Sequence, residues 1–388
     1  MPVLGAAASI TVVFIVVLTI PLRAATTLDL SPGETTTWIL AIYGIAGALS
    51  LFLAFRYSQP LLLTGNIFIL ILIERLGTEF VWGELIGAAM AAGAVVLVLG
   101  PFGLTGWLTD WLPAPVVFGL LAGAVLPFLV DMFGALEDAP ALVGGTLVVY
   151  LAARRYLEPR VPAILPALAA ALALTAVTGG FSNLGLEMSL PAPVITAPIF
   201  SPGALLSIAP VFVVLITVQA NVPSLVFLRE QDYDPPELNV NTVSGTGTVV
   251  GSFLGPIGVS LSLPATALVA GPDAGEWSNR HLSVYIAAGA SLLIGVLAGF
   301  AVEIARAVPV ALLLTGVGLA VLGILSTALQ RVTEGPLIWG PLFAFLIALS
   351  DFTFLGLQEF FWALAGGVAV SAVLEWEEWK TLRQRAPS

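Results

Sequence analysis

Long apolar runs follow one another along this chain, punctuated by short clusters of Pro, Gly and charged residues. Most are near the about 20 residues that a helix needs to cross a hydrocarbon layer of about 30 Å. They do not alternate in polarity every second residue, as barrel strands must. The breaks define spans near 6–27, 36–55, 61–75, 83–101, 114–134, 139–154 and 161–179, then 203–221, 240–254, 262–271, 282–303, 307–328, 335–350 and 355–374. The piece 222–229 reads as the end of the helix that begins near Gly203, which leaves seven spans in each half. The pattern predicts an all-α polytopic membrane protein with about fourteen transmembrane segments. The first run opens Met1-Pro2, without a basic leader or a small-residue cleavage site, and reads as a membrane helix, not a signal peptide.

The positive charges carry the orientation. Arg56, Arg154, Arg155, Arg160, Arg229, Arg280, Arg331, Lys380, Arg383 and Arg385 fall on one side of the predicted topology, and Arg23, Arg75 and Arg306 on the other. The positive-inside rule then predicts an integral protein of the cytoplasmic membrane with both termini cytoplasmic. An odd number of spans in each half makes the two halves inverted repeats of seven helices.

Two stretches break the helical pattern at matching places in these halves. Gly255–Gly275 is apolar enough for the bilayer, yet Pro256, Gly258 and Pro264 forbid one unbroken helix, and Leu263-Pro264 favours an extended residue followed by a fresh helix start. About half a chain earlier, Arg56–Asn66 is a proline-led extended segment entering a short apolar run. Such breaks also kink helices with no site attached. Occurring as a pair in two halves, they mark a transporter's binding site, with positive helix starts facing a cavity.

Composition narrows the chemistry. Of 388 residues, 59% are hydrophobic and 10% charged, and mean hydropathy is +1.04. Without Cys there is no disulfide, thiolate nucleophile or thiolate metal site. A net charge of −11 argues against a nucleic-acid partner. His281, the only histidine, sits in a Trp-Ser-Asn-Arg loop without close carboxylates, so no metal or cofactor site is expected. No nucleophile–base pair is present, so the chain is not expected to be an enzyme. Leu104–Leu112 reads as an interfacial linker, Leu190–Pro202 as an extended connection between the halves, and Glu375–Arg385 as a cytoplasmic surface helix.

Gln219 and Asn221 stand in an apolar helix, where carboxamides face a bundle interior or a water-filled cavity. Each is a candidate for direct substrate contact or for interhelical hydrogen bonding. Asn66 and Thr64 are candidates to cap the first half-helix, and Ser260 and Ser262 the second. Asp131, Glu84, Glu303, Asp351 and Glu359 are the acids nearest the spans, mostly at predicted outer ends where solvation serves them.

The run Thr217-Val218-Gln219-Ala220-Asn221-Val222-Pro223 through Leu228-Arg229, followed by Tyr233-Asp234-Pro235-Pro236, resembles the second half of the benzoate/proton symporter family. The Gly255–Gly275 stretch belongs to the same likeness, and Arg56-Tyr57 with Pro60 resembles that family's lead-in to its third helix. The family is similar in architecture to uracil permeases and sulfate-type anion carriers. The resemblance implies broken third and tenth helices, each preceded by a short strand. It implies a core domain of residues 1–103 and 190–306, a gate domain of residues 104–189 and 307–374, and a cytoplasmic tail, 375–388. The chain departs from the family where Leu63–Phe68 replaces a Thr-Ala-Trp-Ser-Thr-Pro run and Val259–Leu263 a Gly-His-Gly-Ile-Asn run, which removes a histidine and an asparagine.

The expected function is secondary active transport of a small organic anion, an aromatic carboxylate such as benzoate, with a proton or sodium as coupling ion and a homodimer open as the assembly. Two positive helix ends would hold the carboxylate, and Phe14 and Tyr43 would supply an apolar wall. Alternatives are an inorganic-anion or nucleobase carrier of the same fold and, in a different class, a membrane receptor or enzyme.

Overall fold

The computed structural model describes residues 2–102, 112–157, 163–178, 180, 192–300, 303, 309–333, 335–350, 352–354 and 359–385. In the first half, α1 (Pro2–Val17) and α2 (Thr19–Thr27) form one bent span. The next helix starts at α3 (Pro32–Ile39), earlier than hydropathy alone predicts, because Ser31-Pro32-Gly33-Glu34 is a capping box. Ser31 Oγ accepts from Glu34 N–H at 3.3 Å, and Glu34 Oε2 accepts from Ser31 N–H at 2.9 Å. It continues through a wide π-helical segment, Leu40–Ile45, into α4 (Ala46–Tyr57), and ends at Ser58 in the left-handed conformation. Then follow β1 (Leu63–Gly65), α5 (Ile67–Leu76), α6 (Trp82–Leu99), α7 (Ala114–Asp138), α8 (Pro140–Tyr156) and α9 (Ile164–Val177).

The second half opens with α10 (Pro202–Ser207), α11 (Ala209–Val214), a second π-helical segment at Leu215–Asn221, and α12 (Val222–Glu230). Residues Pro202–Arg229 make one continuous helical span, as the merged reading expects. After it come α13 (Glu237–Ser252), β2 (Val259–Leu261), α14 (Leu263–Ala270), α15 (His281–Val296), α16 (Val310–Thr333), α17 (Trp339–Leu349), α18 (Glu359–Leu374) and α19 (Trp376–Arg385). Five helices among the described residues are individually long and apolar enough to cross a bilayer: Val3–Thr27, Pro32–Tyr57, Ala114–Asp138, Pro202–Arg229 and Val310–Thr333. Trp82–Val98, Ile164–Val177 and Trp339–Leu349 are shorter apolar helices beside them.

The helices pack in two groups. In one, α15 lies on α1, α4 and the first π segment, and α13 lies on α6. In the other, α7 packs along α16 and α17, α17 along α18, and α9 along α8. Large apolar side chains such as Phe55, Val148, Leu293, Leu346 and Val373 point outward, which suits a chain solvated by lipid. The expected linker Leu104–Leu112 lies, apart from Leu112, outside the described residues. Residues 192–201 form neither helix nor strand. Val194 N–H donates to Thr37 Oγ1 at 2.8 Å and Ile199 N–H to the Gly83 carbonyl at 2.8 Å, so this connection is stitched to α3 and α6.

The tail helix α19 turns 105° away from α18. Glu375, at the corner, accepts from the backbone N–H groups of Ile338, of Trp339 at 2.7 Å and of Gly340 at 2.9 Å, and from Ser371 Oγ at 3.1 Å. It thereby caps α17. Burial opposes ionisation of this carboxyl, but the donors outweigh it and hold the group below the usual carboxylate range. A depressed folded-state value adds stability above the unfolded carboxylate range, and that stability is lost as pH falls through the folded value. Glu375→Ala is expected to cost about 1–3 kcal/mol, read as a lower Tm in detergent at neutral pH, with the gap to the parent closing on acidification. A gap that does not change with pH would show that the cap is not electrostatic.

Candidate functional site

The two broken segments meet. β1 and β2 pair antiparallel, with Leu63 opposite Leu261, Thr64 opposite Ser260 and Gly65 opposite Val259, and Asn66 N–H donates to the Gly258 carbonyl at 2.6 Å. A two-stranded ribbon among membrane helices has outer edges whose peptide groups need partners. Side chains supply them. Ser50 Oγ accepts from Leu63 N–H at 2.8 Å, Thr248 Oγ1 from Val259 N–H at 2.9 Å, and Asn221 Oδ1 from Leu261 N–H at 2.9 Å. The approach to β2 depends on two glycines. Gly255 has φ +147° against the Trp38 ring, whose Nε1 donates to the Pro256 carbonyl at 2.8 Å. A Cβ on Gly258 would stand 2.1 Å from Ile69 Cδ1.

The two helix starts differ. Asn66 caps α5: its Oδ1 accepts from Phe68 N–H at 3.1 Å and Ile69 N–H at 3.3 Å. Its Nδ2 donates to the Leu215 carbonyl and to Ser260 Oγ, both at 3.1 Å. That uses both acceptor and both donor positions of the carboxamide. Ser262 occupies the same position on α14 without a side-chain cap bond, and Pro264 has no N–H to offer. The start of α14 therefore keeps its first N–H groups without intrahelical partners, at the positive end of a helix dipole.

Both π segments form walls of the same cavity. Pro223 cannot return an N–H to the Gln219 carbonyl four residues back, and the wide turns of Leu215–Asn221 directly precede it. In Leu40–Ile45, Ser291 Oγ donates to the Tyr43 carbonyl at 2.8 Å, and Tyr43 Oη to the Phe14 carbonyl at 2.9 Å. The Phe14 and Tyr43 rings meet edge to face at 6.0 Å.

The cavity between the strand–helix joints has a volume of about 480 Å³. Thr64, Asn66, Gln219, Ser260, Ser262, Phe14 and Tyr43 all line it, with Ile10, Phe118, Leu268 and Ile324 extending the apolar wall. Among the described lining residues no carboxylate occurs, and Arg331, at the C-terminal end of α16, is the one charged side chain. Gln219 Oε1 has no hydrogen-bond partner, so its amide retains bonding capacity toward the cavity.

Asn221 stands elsewhere than a substrate contact would require. It is fully buried behind β2 and does not line the cavity. Its Nδ2 donates to Asn241 Oδ1 at 2.9 Å and Ser244 Oγ at 3.2 Å, while its Oδ1 holds Leu261. It is a positioning residue, because the strand edge in front of it has a stronger claim on the carboxamide than any ligand. Thr64 lies within β1 and does not cap α5.

Sequence reasoning missed Arg331 as a wall residue, having assigned it only to a cytoplasmic loop. It also passed over Glu74, read as the end of an apolar run, although this acid is buried beside Arg23. An acid followed by Arg75 at the end of seven apolar residues was the available signal.

The fold has solved counterparts. A structure of SLC26A9 superposes with a TM-score of 0.66 at 14% identity, over 96% of this chain and 64% of that one. The transmembrane domain of the cyanobacterial bicarbonate transporter BicA gives 0.59 at 16% identity, over 96% of both chains. These likenesses show the fold, that of transporter membrane domains interrupted in this chain by two paired strand–helix joints. Residues 2–373 match the family model for the benzoate membrane transport protein, BenE, and the chain belongs to that family. It is 27% identical over 355 residues to the benzoate membrane transport protein of Acinetobacter baylyi, covering 91% of this chain and 89% of the relative. It is 26% identical over 353 residues to the inner membrane protein YdcO of Escherichia coli, covering 89% of each. The chain is thus a membrane transporter, not an enzyme.

Asn221→Ala is expected to lower Tm by loosening β2, at a cost of about 1–3 kcal/mol for the orphaned Leu261 amide. Substrate affinity, corrected for the folded fraction, should fall less than stability does. An unchanged Tm with affinity lost would return Asn221 to the binding surface.

Proposed function

We propose that this protein is a secondary active transporter of a small organic anion, an aromatic carboxylate of the benzoate class, coupled to protons. In this reading the chain makes fourteen spans in two inverted repeats of seven, with both termini cytoplasmic. Residues 1–103 and 190–306 form a core that moves against a gate of residues 104–189 and 307–374, and the tail 375–388 lies at the cytoplasmic surface. The two packing groups of helices support that division.

The observation that carries the substrate reading is the cavity's chemistry. An uncapped helix start lines the cavity with the hydroxyls of Thr64, Ser260 and Ser262 and with the Gln219 carboxamide, whose Nε2 is the atom that would donate, and an apolar wall with Phe14 fills the rest. A carboxylate is served by N–H and O–H donors without a counter-ion, and a ring by the wall. Thr64, Ser260, Ser262 and Gln219 are the side chains assigned to the substrate, while Asn66 and Asn221 hold the frame. Arg331 sits where α16 reaches the cytoplasmic side, and attracts anions to the cavity mouth.

Counterflow in proteoliposomes with labelled benzoate tests this. Benzoate and ring-substituted benzoates should compete, and sulfate, bicarbonate and uracil should not; equal competition by sulfate would replace the aromatic reading with an inorganic one. Ser262→Ala and Gln219→Ala should each raise KM about tenfold, the loss of one hydrogen bond to a charged group. Arg331→Ala should raise KM at low salt, with the difference shrinking as salt screens the mouth. A salt-independent effect would mean that Arg331 acts by contact.

A further inference from the structure

The far end of α5 carries a second built site. Glu74 is only 5% exposed. Its Oε1 accepts from Arg23 Nε at 2.8 Å and Thr27 Oγ1 at 3.2 Å, whereas its Oε2 has no protein partner. Arg23 is shared: its Nη2 also donates to Asp131 Oδ2 of α7 at 2.5 Å, and its Nη1 has no protein partner. The next residue, Arg75, reaches Glu359 of α18 at 3.5 Å and donates to the Ala348 carbonyl of α17 at 3.0 Å. Beside Arg23, Glu74, Arg75 and Asp131 lies a separate cavity of about 330 Å³, large enough to admit water.

Among the described residues, Glu74 and Asp131 thus share the Arg23 guanidinium. The charged side chains facing Glu74 are Arg23 from α2 and Asp131 from α7, with the Arg75–Glu359 pair alongside. Asp131 is the more exposed of Arg23's two partners and Glu74 the more buried. A buried carboxylate with one oxygen unpartnered, next to a like charge, gains by taking up a proton.

The placement links this group to the transport site. Glu74 lies eight residues beyond Asn66, about 12 Å along the same half-helix at 1.5 Å per residue. Its partner Arg23 ties α2 to α7 through Asp131, and its chain neighbour Arg75 ties α5 to α17 and α18 through the Ala348 carbonyl and Glu359. We propose that Glu74 is the proton-coupling residue: Oε2 takes one proton from the outer aqueous side, which weakens the Glu74–Arg23 pair, leaves Arg23 to Asp131 of α7 and frees α5 from α2, and the proton is given up on the cytoplasmic side after α5 has shifted. The proton and the anion occupy opposite ends of one rigid element. This inference rests on the transport reading above and adds to it the group that carries the proton.

Two measurements on the full-length purified protein decide it. In pH-difference infrared spectra, the wild type should show the C=O stretch of a carboxylic acid that titrates, and Glu74→Gln should lose that band. A wild type without the band, or a variant that keeps it, overturns the proposal. In proteoliposomes with labelled benzoate as probe, Glu74→Gln should lose accumulation driven by a pH difference by about tenfold or more, while counterflow at equal pH stays within about threefold. Undiminished pH-driven accumulation, or accumulation driven by sodium instead, overturns it. If the wild type fails to exchange benzoate at all, the substrate reading falls and the infrared arm still decides Glu74. Should Glu74→Gln not fold, Asp131→Asn serves: removing the competing charge leaves Arg23 to Glu74, so the band's midpoint should move toward acid by about one pH unit. An unmoved midpoint overturns the proposal.

Discussion

Peptide groups without partners in hydrocarbon set the terms for this fold. A strand inside a bilayer loses several kcal/mol for each unsatisfied N–H or C=O, so β1 and β2 can exist there only if every edge is answered. They answer each other along one edge. Along the others, Ser50, Thr248 and Asn221 do the work of missing strands. These three side chains come from three different helical elements, so the ribbon also fixes where those elements stand. The cavity is what remains when a ribbon interrupts two helices and both resumed helices point their starts at the same place.

The two joints are alike in plan and unequal in chemistry. Asn66 closes the start of α5 and has no hydrogen-bonding capacity left, while Ser262 leaves the start of α14 open. One joint is therefore closed by a side chain and the other left open. An inverted pair of segments need not bind substrate symmetrically: a single carboxylate has two oxygens, and one uncapped start with neighbouring hydroxyls is enough to engage them.

Much of this was legible in the chain. Pro256, Gly258 and Pro264 in one half and Pro60 in the other announce backbone that cannot be continuous helix, and Asn66 just before an apolar run announces a cap. The identity of the wall followed from position, since Phe14, Tyr43 and Gln219 lie on spans that neighbour the breaks. Other features were hidden for physical reasons. A buried carboxamide looks the same in a sequence whether it faces a ligand or a strand edge, so Asn221 could be placed only by its partners Asn241, Ser244 and Leu261. The π segments leave no mark in hydropathy because they shift one hydrogen bond without changing polarity. Glu74 was hidden because its burial depends on Arg23 and Asp131, 51 and 57 residues away in the chain.

The absence of a carboxylate-neutralising cation deep in the cavity has an energetic consequence. A helix start offers about half an elementary charge, which stabilises an anion by at most a kcal/mol or two and leaves it a net charge in the low-dielectric middle of the protein. Moving that charge inward against a negative-inside potential costs about 2.3 kcal/mol per 100 mV. A proton bound to the same moving element cancels the charge carried through the field, and the cost disappears without any cation in the binding site itself. Glu74 stands at the other end of α5 from the joint, close enough to travel with the anion and far enough that its own negative charge does not face the carboxylate. In the proposed reading, a cavity whose joints offer an anion dipoles, with Arg331 on its wall, and a buried acid on the same element as one joint are two halves of one electrostatic solution.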